Sequence, residues 1–167
     1  MNRFPSYVHD HDSCIAYALS SAEIVCKRRG VRLTNLRRRV LQLIWDSHAP
    51  IRAYDLLEKL SSTSAADCNK RSRFAPQTVY RALEFLIQQG LVHRIESLNA
   101  FVGCVEPKQN HMGYFLICQS CGTAQEFANG VVNQVLRYYA NDVYFQIKCI
   151  TIEVSGLCAN CLNSTTK

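Results

Sequence analysis

The apolar positions of the chain follow a helical period through its first half and a mixed period through its second. Residues 1–20 hold no sustained period and read as a lead-in. Residues 21–29 read as a short helix with Ile24 and Val25 inward, stopped by Gly30, a residue that readily takes the left-handed C-cap. After a linker at 31–34, Thr34 is placed to cap a second helix over 35–47, whose stripe is Leu36, Val40, Leu43 and Ile44. The run Arg37, Arg38, Arg39 lies mostly off that stripe. Pro50 restarts the chain, and residues 53–60 carry Leu56, Leu57 and Leu60 on a third apolar face. Residues 61–74 are polar, serine-rich and basic, which predicts an exposed loop. Pro76 stands where proline is tolerated, at the start of a helix running to Gln89. In that helix Val79, Leu83, Leu86 and Ile87 face inward, and Gln77, Thr78, Tyr80, Arg81 and Glu84 are left outward. Gly90 ends it.

Beyond Gly90 the pattern shortens. Residues 91–95 and 100–104 read as two strands of a hairpin around 96–99, and 105–110, with Pro107, as a hinge. Strands at 114–118 and 123–127 flank the turn Cys118-Gln-Ser-Cys121, and 131–140 is a helix with Val132, Val135, Leu136 and Tyr139 on one face. A long strand over 145–154 alternates Ile150, Ile152 and Val154 against Thr151 and Glu153. The expected fold class is therefore α+β, an N-terminal winged helix-turn-helix domain followed by a small C-terminal α/β domain. The boundaries are 1–104 for the first domain, 105–112 for the hinge and 113–167 for the second, which is expected to dimerise. A small helical domain without a ligand is the alternative for the first half. In the winged arrangement the third helix enters the major groove and the wing reaches the backbone. The second half is too small for a generous core, and metal and dimerisation are the expected remedies.

Charge favours the winged reading. Of a net +6, residues 1–95 hold 15 Lys/Arg against 8 Asp/Glu, or +7, and residues 96–167 hold 4 against 5, or −1. One half is thus suited to a polyanion such as double-stranded DNA. No apolar run reaches the about 18–20 residues of a membrane span, and the N-terminus lacks a secretion signal, so a cytoplasmic protein is expected. Nine cysteines in that setting are not expected to form a disulfide framework.

Two sets of side chains can bind a transition metal. In the first, Cys118-x-x-Cys121 and Cys158-x-x-Cys161 would give a four-thiolate tetrahedral shell, closed to substrate and therefore structural. The 36 residues between the pairs require a strand–helix–strand excursion that returns the second pair to the first. Redox chemistry or unrelated free thiols are the alternatives. The second set is His93, Cys104, His111 and Glu126, drawn from the wing, the hinge and the second domain. Taken singly, each reads as an ordinary polar residue. Together, one sulfur, two nitrogens and one oxygen suit zinc, and a thiolate argues against magnesium, calcium or manganese. With zinc at +2 and Cys104 and Glu126 at −1 each the site sums to zero, which makes burial at a domain junction tolerable. A zinc-dependent hydrolase with Glu126 as general base would instead need an open coordination position for water. Cys14, Cys26, Cys68 and Cys149 fall in no pattern.

Several short motifs resemble the ferric uptake regulator family: Tyr54-Asp55-Leu56-Leu57, the run Pro76-Gln77-Thr78-Val79-Tyr80-Arg81-Ala82-Leu83, Gly90-Leu91-Val92-His93, and Cys118-x-x-Cys121-Gly122. Cys104 and the run Val92-His93-Arg94-Ile95-Glu96-Ser97 look most like the family's zinc uptake branch. The resemblance spans about residues 23–161. It implies a homodimeric repressor that binds operator DNA when zinc is plentiful, with no membrane and no small-molecule substrate. It also implies two zinc ions per subunit, a structural one at Cys118, Cys121, Cys158 and Cys161 and a regulatory one at His93, Cys104, His111 and Glu126. Tyr54 and Arg81 are implied as base-reading side chains. Gln77, Thr78 and Tyr80 share the exposed turn with Arg81, and Arg37, Arg38, Arg39 and Arg73 are candidate phosphate partners. Two departures stand out. Residues 108–114 hold only His111, so the His-rich site of iron-type relatives looks absent, and residues 61–74 look longer than the family's usual connection. An iron- or peroxide-responsive regulator of the same family is the alternative within the resemblance.

Overall fold

The protein is described here by a computed structural model over residues 11–47, 49–63, 74–107, 113–127, 130–148 and 150–164. The elements in chain order are α1 (His11–Arg28), α2 (Asn35–Trp45), β1 (Ile51–Arg52), α3 (Ala53–Thr63), α4 (Pro76–Gln88), β2 (Val92–Ile95), β3 (Ala100–Gly103), β4 (Tyr114–Cys118), β5 (Ala124–Phe127), α5 (Gly130–Asp142), β6 (Ile152–Gly156) and α6 (Ala159–Ser164).

Two of the helices of the first half show the end signals expected of them. The Thr34 hydroxyl accepts from the Arg37 N–H at 3.4 Å and opens α2. Pro76 stands in the first turn of α4, and Gly90, at φ 61°, closes it with its N–H on the Ile87 carbonyl at 2.8 Å. Val25 and Cys26 of α1, Val40 and Ile44 of α2, Leu56 and Leu60 of α3, and Val79, Leu83 and Leu86 of α4 meet in one core. Three sequence expectations are corrected here. The expected lead-in is helical from His11, so α1 is ten residues longer than its apolar pattern shows. Ile24 is 41% exposed, because the buried positions Ala18, Ala22, Val25 and Cys26 define a stripe that misses it. Ile87 is 38% exposed, standing about 80° around the helix from Val79 at 100° per residue, while Ala82 and Phe85 are buried instead.

β2 and β3 form the expected antiparallel hairpin, with Val92 opposite Gly103 and Ile95 opposite Ala100. A strand that leaves no period in the sequence completes the sheet: β1, two residues long, pairs Ile51 with Phe101 and Arg52 with Ala100. The order is β1-β3-β2.

The second sheet has the order β5-β4-β6, antiparallel on one side of β4 and parallel on the other. The strand expected over 145–154 is much shorter. Phe145 N–H bonds back to the Ala140 carbonyl at 2.7 Å and Tyr144 turns the chain at φ 55°. Pairing then runs only along the five residues of β4, from Ile152 to Gly156. On one face of this sheet Tyr114 of β4 is hydrogen-bonded to Asn133 of α5. The opposite face contributes Phe115, Ile117 and Ala124 to a small core with Ile95, Leu98 and Val102 of the hairpin. The two sheets are therefore packed together. On α5, Val132 and Leu136 are half-buried, but Val135 and Tyr139 are 48% and 64% exposed, so the expected stripe is only partly covered within one chain. Among the described residues no helix is long and apolar enough to cross a membrane.

Candidate metal centres and the exposed face of α4

The parallel pairing of β6 beside β4 brings the two Cys-x-x-Cys pairs together. Cys118 ends β4, Cys121 closes the following turn, Cys158 precedes α6 and Cys161 lies within it. All four sulfurs lie within 4.8 Å of one another, with Cys121 Sγ 3.9 Å from Cys158 Sγ. A tetrahedral shell with bonds of about 2.3 Å requires sulfurs about 3.8 Å apart, so the set fits one ion. None of the four is in a disulfide. The turn prepares thiolate. The backbone N–H of Cys121 and then that of Cys158, 3.3 Å away, pull the Cys118 thiol down to about 6. The Thr123 hydroxyl lowers Cys121. Cys161 moves the other way, to about 11: contact with the Ser120 hydroxyl lowers it, but Cys158, burial and the other two thiols outweigh that contact.

The second cluster sits where the two sheets meet. His93 points from β2, Cys104 follows β3 and Glu126 points from β5, and their donor atoms lie within 4.8 Å of one another. His93 Nε2 is 2.9 Å from Glu126 Oε1, and Glu126 Oε2 accepts from the Val105 N–H at 3.0 Å. Cys104 is 3% exposed, and its N–H is held by the Leu91 carbonyl at 3.0 Å. Burial pushes its thiol up to about 12, with Glu126 adding to the effect. Such a thiol stays neutral until a cation stands beside it. A thiol, an imidazole and a carboxylate converging at a buried junction match the donor preferences of zinc and not those of magnesium or calcium. His111 lies outside the described residues.

Two residues with no metal-binding group shape this second cluster. The Phe115 ring stands edge-on to the His93 imidazole at 5.5 Å. Gly113 is the other: a Cβ there would stand 2.9 Å from Phe115 Cζ and 3.1 Å from His93 Cε1. Neither carries a sequence signal of its own. Glu153 also departs from expectation. Its carboxylate accepts from the N–H groups of Glu96 (2.6 Å) and Ser97 (3.1 Å) at the hairpin turn.

On the winged half, α4 leaves Gln77, Thr78, Tyr80 and Arg81 exposed along its N-terminal turns, and Tyr54 on α3 is 69% exposed. The arginine run is tied into the fold. Arg37 lies 3.5 Å over the Phe85 ring and donates to the Arg32 carbonyl at 2.6 Å, Arg38 pairs with Glu23, and Arg39 donates to Gln42 at 2.9 Å. Arg73 lies outside the described residues, as do 64–72 of the expected loop.

Residues 28–155 match the model of the ferric uptake regulator family. The zinc uptake regulation protein of Escherichia coli (strain K12) is 37% identical over 145 residues, covering 86% of this chain and 81% of that protein. Among solved structures, a zinc uptake regulator complexed with zinc and DNA overlays with a TM-score of 0.83 at 36% identity, covering 92% of this chain and 98% of its own. The holo form of XcZur overlays at 0.78 with 41% identity, covering 89% and 99%. The apo form, at 40% identity and covering 89% and 97%, overlays at only 0.50. Identity is almost equal in that pair. The chain therefore overlays more fully on the holo form than on the apo form.

Proposed function

The chain belongs to the ferric uptake regulator family, and from that premise we propose that it is a zinc-responsive transcriptional repressor. It grips operator DNA as a homodimer when zinc is plentiful, and so controls zinc uptake genes. The observation that carries this is the meeting of His93, Cys104 and Glu126 between the winged sheet and the second sheet, in a chain whose fold overlays on a zinc uptake regulator complexed with zinc and DNA.

The working parts are residues 1–104 as the DNA-binding domain, 105–112 as the hinge and 113–167 as the dimerisation domain. Each subunit takes two zinc ions. Cys118, Cys121, Cys158 and Cys161 would hold the structural one, and His93, Cys104, Glu126 and His111 the regulatory one. When bound at the second site, zinc supplies a positive centre shared by donors from both sheets, which ties the wing to the dimerisation domain. Cys104 would bind there as the thiolate, its proton passing to solvent, while Glu126 holds the Val105 N–H with its second oxygen and Phe115 stands edge-on to His93. Taking such a joint from mostly open to mostly closed requires about 5.5 kcal/mol of differential binding. A multi-ligand zinc site contributes about 10–16 kcal/mol.

In the closed dimer the exposed turns of the two α4 helices present Arg81 and its neighbours at one fixed separation. Arg81 is suited to bidentate contact with a guanine, worth about 1–3 kcal/mol of discrimination. Tyr54 reaches a base edge or methyl group, and Gln77, Thr78 and Tyr80 complete the contact surface. Arg38, whose pair with Glu23 is exposed, would meet phosphate by exchanging that partner, and Arg37 and Arg39 would have to loosen half-buried contacts to do the same. The Cys104 donor favours zinc over an iron- or peroxide-responsive reading, and a clasp drawn from both sheets favours a regulator over a hydrolase.

The test is operator binding by the purified dimer across buffered free zinc, with iron and manganese as controls. Binding should rise steeply with zinc alone, and Cys104→Ser should remain a folded dimer yet lose that dependence. Zinc dependence unchanged in Cys104→Ser would remove the regulatory site from this account.

A further inference from the structure

The face that the second sheet turns toward the wing carries a row of three side chains. In the strand register Phe115 of β4 stands opposite Glu126 of β5 on one side and opposite Glu153 of β6 on the other. Side chains of paired residues project from the same face of a sheet. All three reach the same hairpin. Glu126 approaches His93 at 2.9 Å, Phe115 lies edge-on to the His93 ring, and Glu153 accepts from the Glu96 and Ser97 N–H groups at 2.6 and 3.1 Å. The first two contacts belong to the regulatory cluster. The third lies at the far end of the row and includes no metal donor.

We propose that Glu153 is a metal-independent latch: a positioning residue that holds the wing tip on the dimerisation sheet and sets the zinc level at which the protein grips DNA. The inference rests on the zinc-responsive reading above and names a determinant of its threshold. A hairpin turn has N–H groups that its own ladder does not use. A carboxylate spanning two of them orients the wing as well as holding it, and hydrogen bonds to a charged acceptor are the stronger kind. Burial disfavours the charged carboxyl at Glu153, yet the Ser97 and Glu96 contacts outweigh it and hold the group below its ordinary range. Next to the latch, Ile95, Leu98 and Val102 lie against Phe115, Ile117 and Ala124, so the joint is also packed. The latch therefore acts on a surface that is already complementary.

The consequence follows from two-state arithmetic. When a ligand binds only the closed arrangement, its apparent affinity is its intrinsic affinity multiplied by the fraction already closed. Glu153 raises that fraction without touching the ion. Removing it should therefore move the zinc midpoint and leave the zinc-saturated complex intact. A residue needed only for folding would instead lower both together.

The experiment titrates operator DNA binding of the full-length dimer against buffered zinc for wild type, Glu153→Gln and Glu153→Ala. Structural zinc content and the visible spectrum of the cobalt(II)-substituted regulatory site are recorded alongside. The expected result is a zinc midpoint raised about tenfold in Glu153→Ala and by less in Glu153→Gln, which keeps one acceptor. DNA affinity at saturating zinc, structural zinc and the cobalt spectrum should match wild type. An unmoved midpoint would overturn the latch, and so would a joint loss of saturating affinity and structural zinc. If wild type itself binds DNA without regard to zinc, the underlying reading fails, and that result is visible before any variant is compared.

Discussion

At Gly113 a Cβ would stand 2.9 Å from the Phe115 ring and 3.1 Å from the His93 ring, so Phe115 would have to shift and His93 to give by a few tenths of an ångström. Overpacking of this kind costs about 1–3 kcal/mol. Gly113→Ala should therefore weaken regulatory zinc by about tenfold, measured by competition against a chelator of known affinity, while the four-cysteine site keeps its ion. Undiminished affinity would mean that His93 has room to move and that its plane is not set sterically. Gly103 has a related role, since a Cβ there would fall 2.2 Å from the Trp45 indole. Such positions are silent in a sequence because their function is the space they leave. The donors were easier to find, because thiols, imidazoles and carboxylates announce metal chemistry by type. What spacing could not supply was the reason His93 and Cys104 belong together. That reason is the hairpin register, which sets His93 opposite Val102 and so leaves Cys104, two residues beyond Val102, diagonal to it on the same face. Arg37, Arg38 and Arg39 show the reverse: a run that looks like free charge is held by an aromatic ring, a carbonyl, a carboxylate and an amide.

Helices α2, α3 and α4 were legible to within three residues at their ends, since each carries an apolar stripe; α2 stops two residues short of the expected 47, and α3 runs on to Thr63 through the first three residues of the expected loop. Elements whose partners come from elsewhere were not. β1 is too short to show a period, the first ten residues of α1 hold no regular stripe, and β6 is cut to the length of β4, the strand it pairs with. The clearest case is α6, six residues long. Isolated helices shorter than about 12–15 residues are marginal in water, so α6 depends on what anchors it. Its anchors are Cys158 and Cys161, together with the Gln119 N–H on the Gly156 carbonyl at 2.8 Å just before it. Cys118→Ser should accordingly release α6 and loosen β6. The expected readouts are one zinc fewer per chain by elemental analysis, a lower melting temperature and a shift toward monomer in sedimentation. A dimer that melts as wild type while lacking that ion would show that the strand pairing alone holds the end of the chain.

For the whole molecule the decisive quantity is the separation of two basic surfaces. Charge is concentrated before residue 96, at +7 against −1 after it, so the dimer carries two cationic heads on a nearly neutral base. Such heads attract DNA at any spacing, because phosphate contact is sequence-independent and weakens steeply with salt. Selective binding requires that both heads meet their half-sites together. In the function proposed above the joint between the sheets controls that, through a small apolar core, one carboxylate latch and the regulatory cluster. The chain overlays more fully on holo XcZur than on apo XcZur, at TM-scores of 0.78 and 0.50. Removing the regulatory ion with a chelator too weak to strip the four-cysteine site should thus enlarge the radius of gyration measured by small-angle scattering. Affinity for operator DNA should fall toward that for random DNA at the same salt concentration. Cys104→Ser should scatter like the chelated protein even in excess zinc, which separates the joint from any direct effect of the chelator. Superimposable scattering with and without the ion would mean that the heads are held apart by packing alone, and zinc would then have to act on the DNA-binding surface itself.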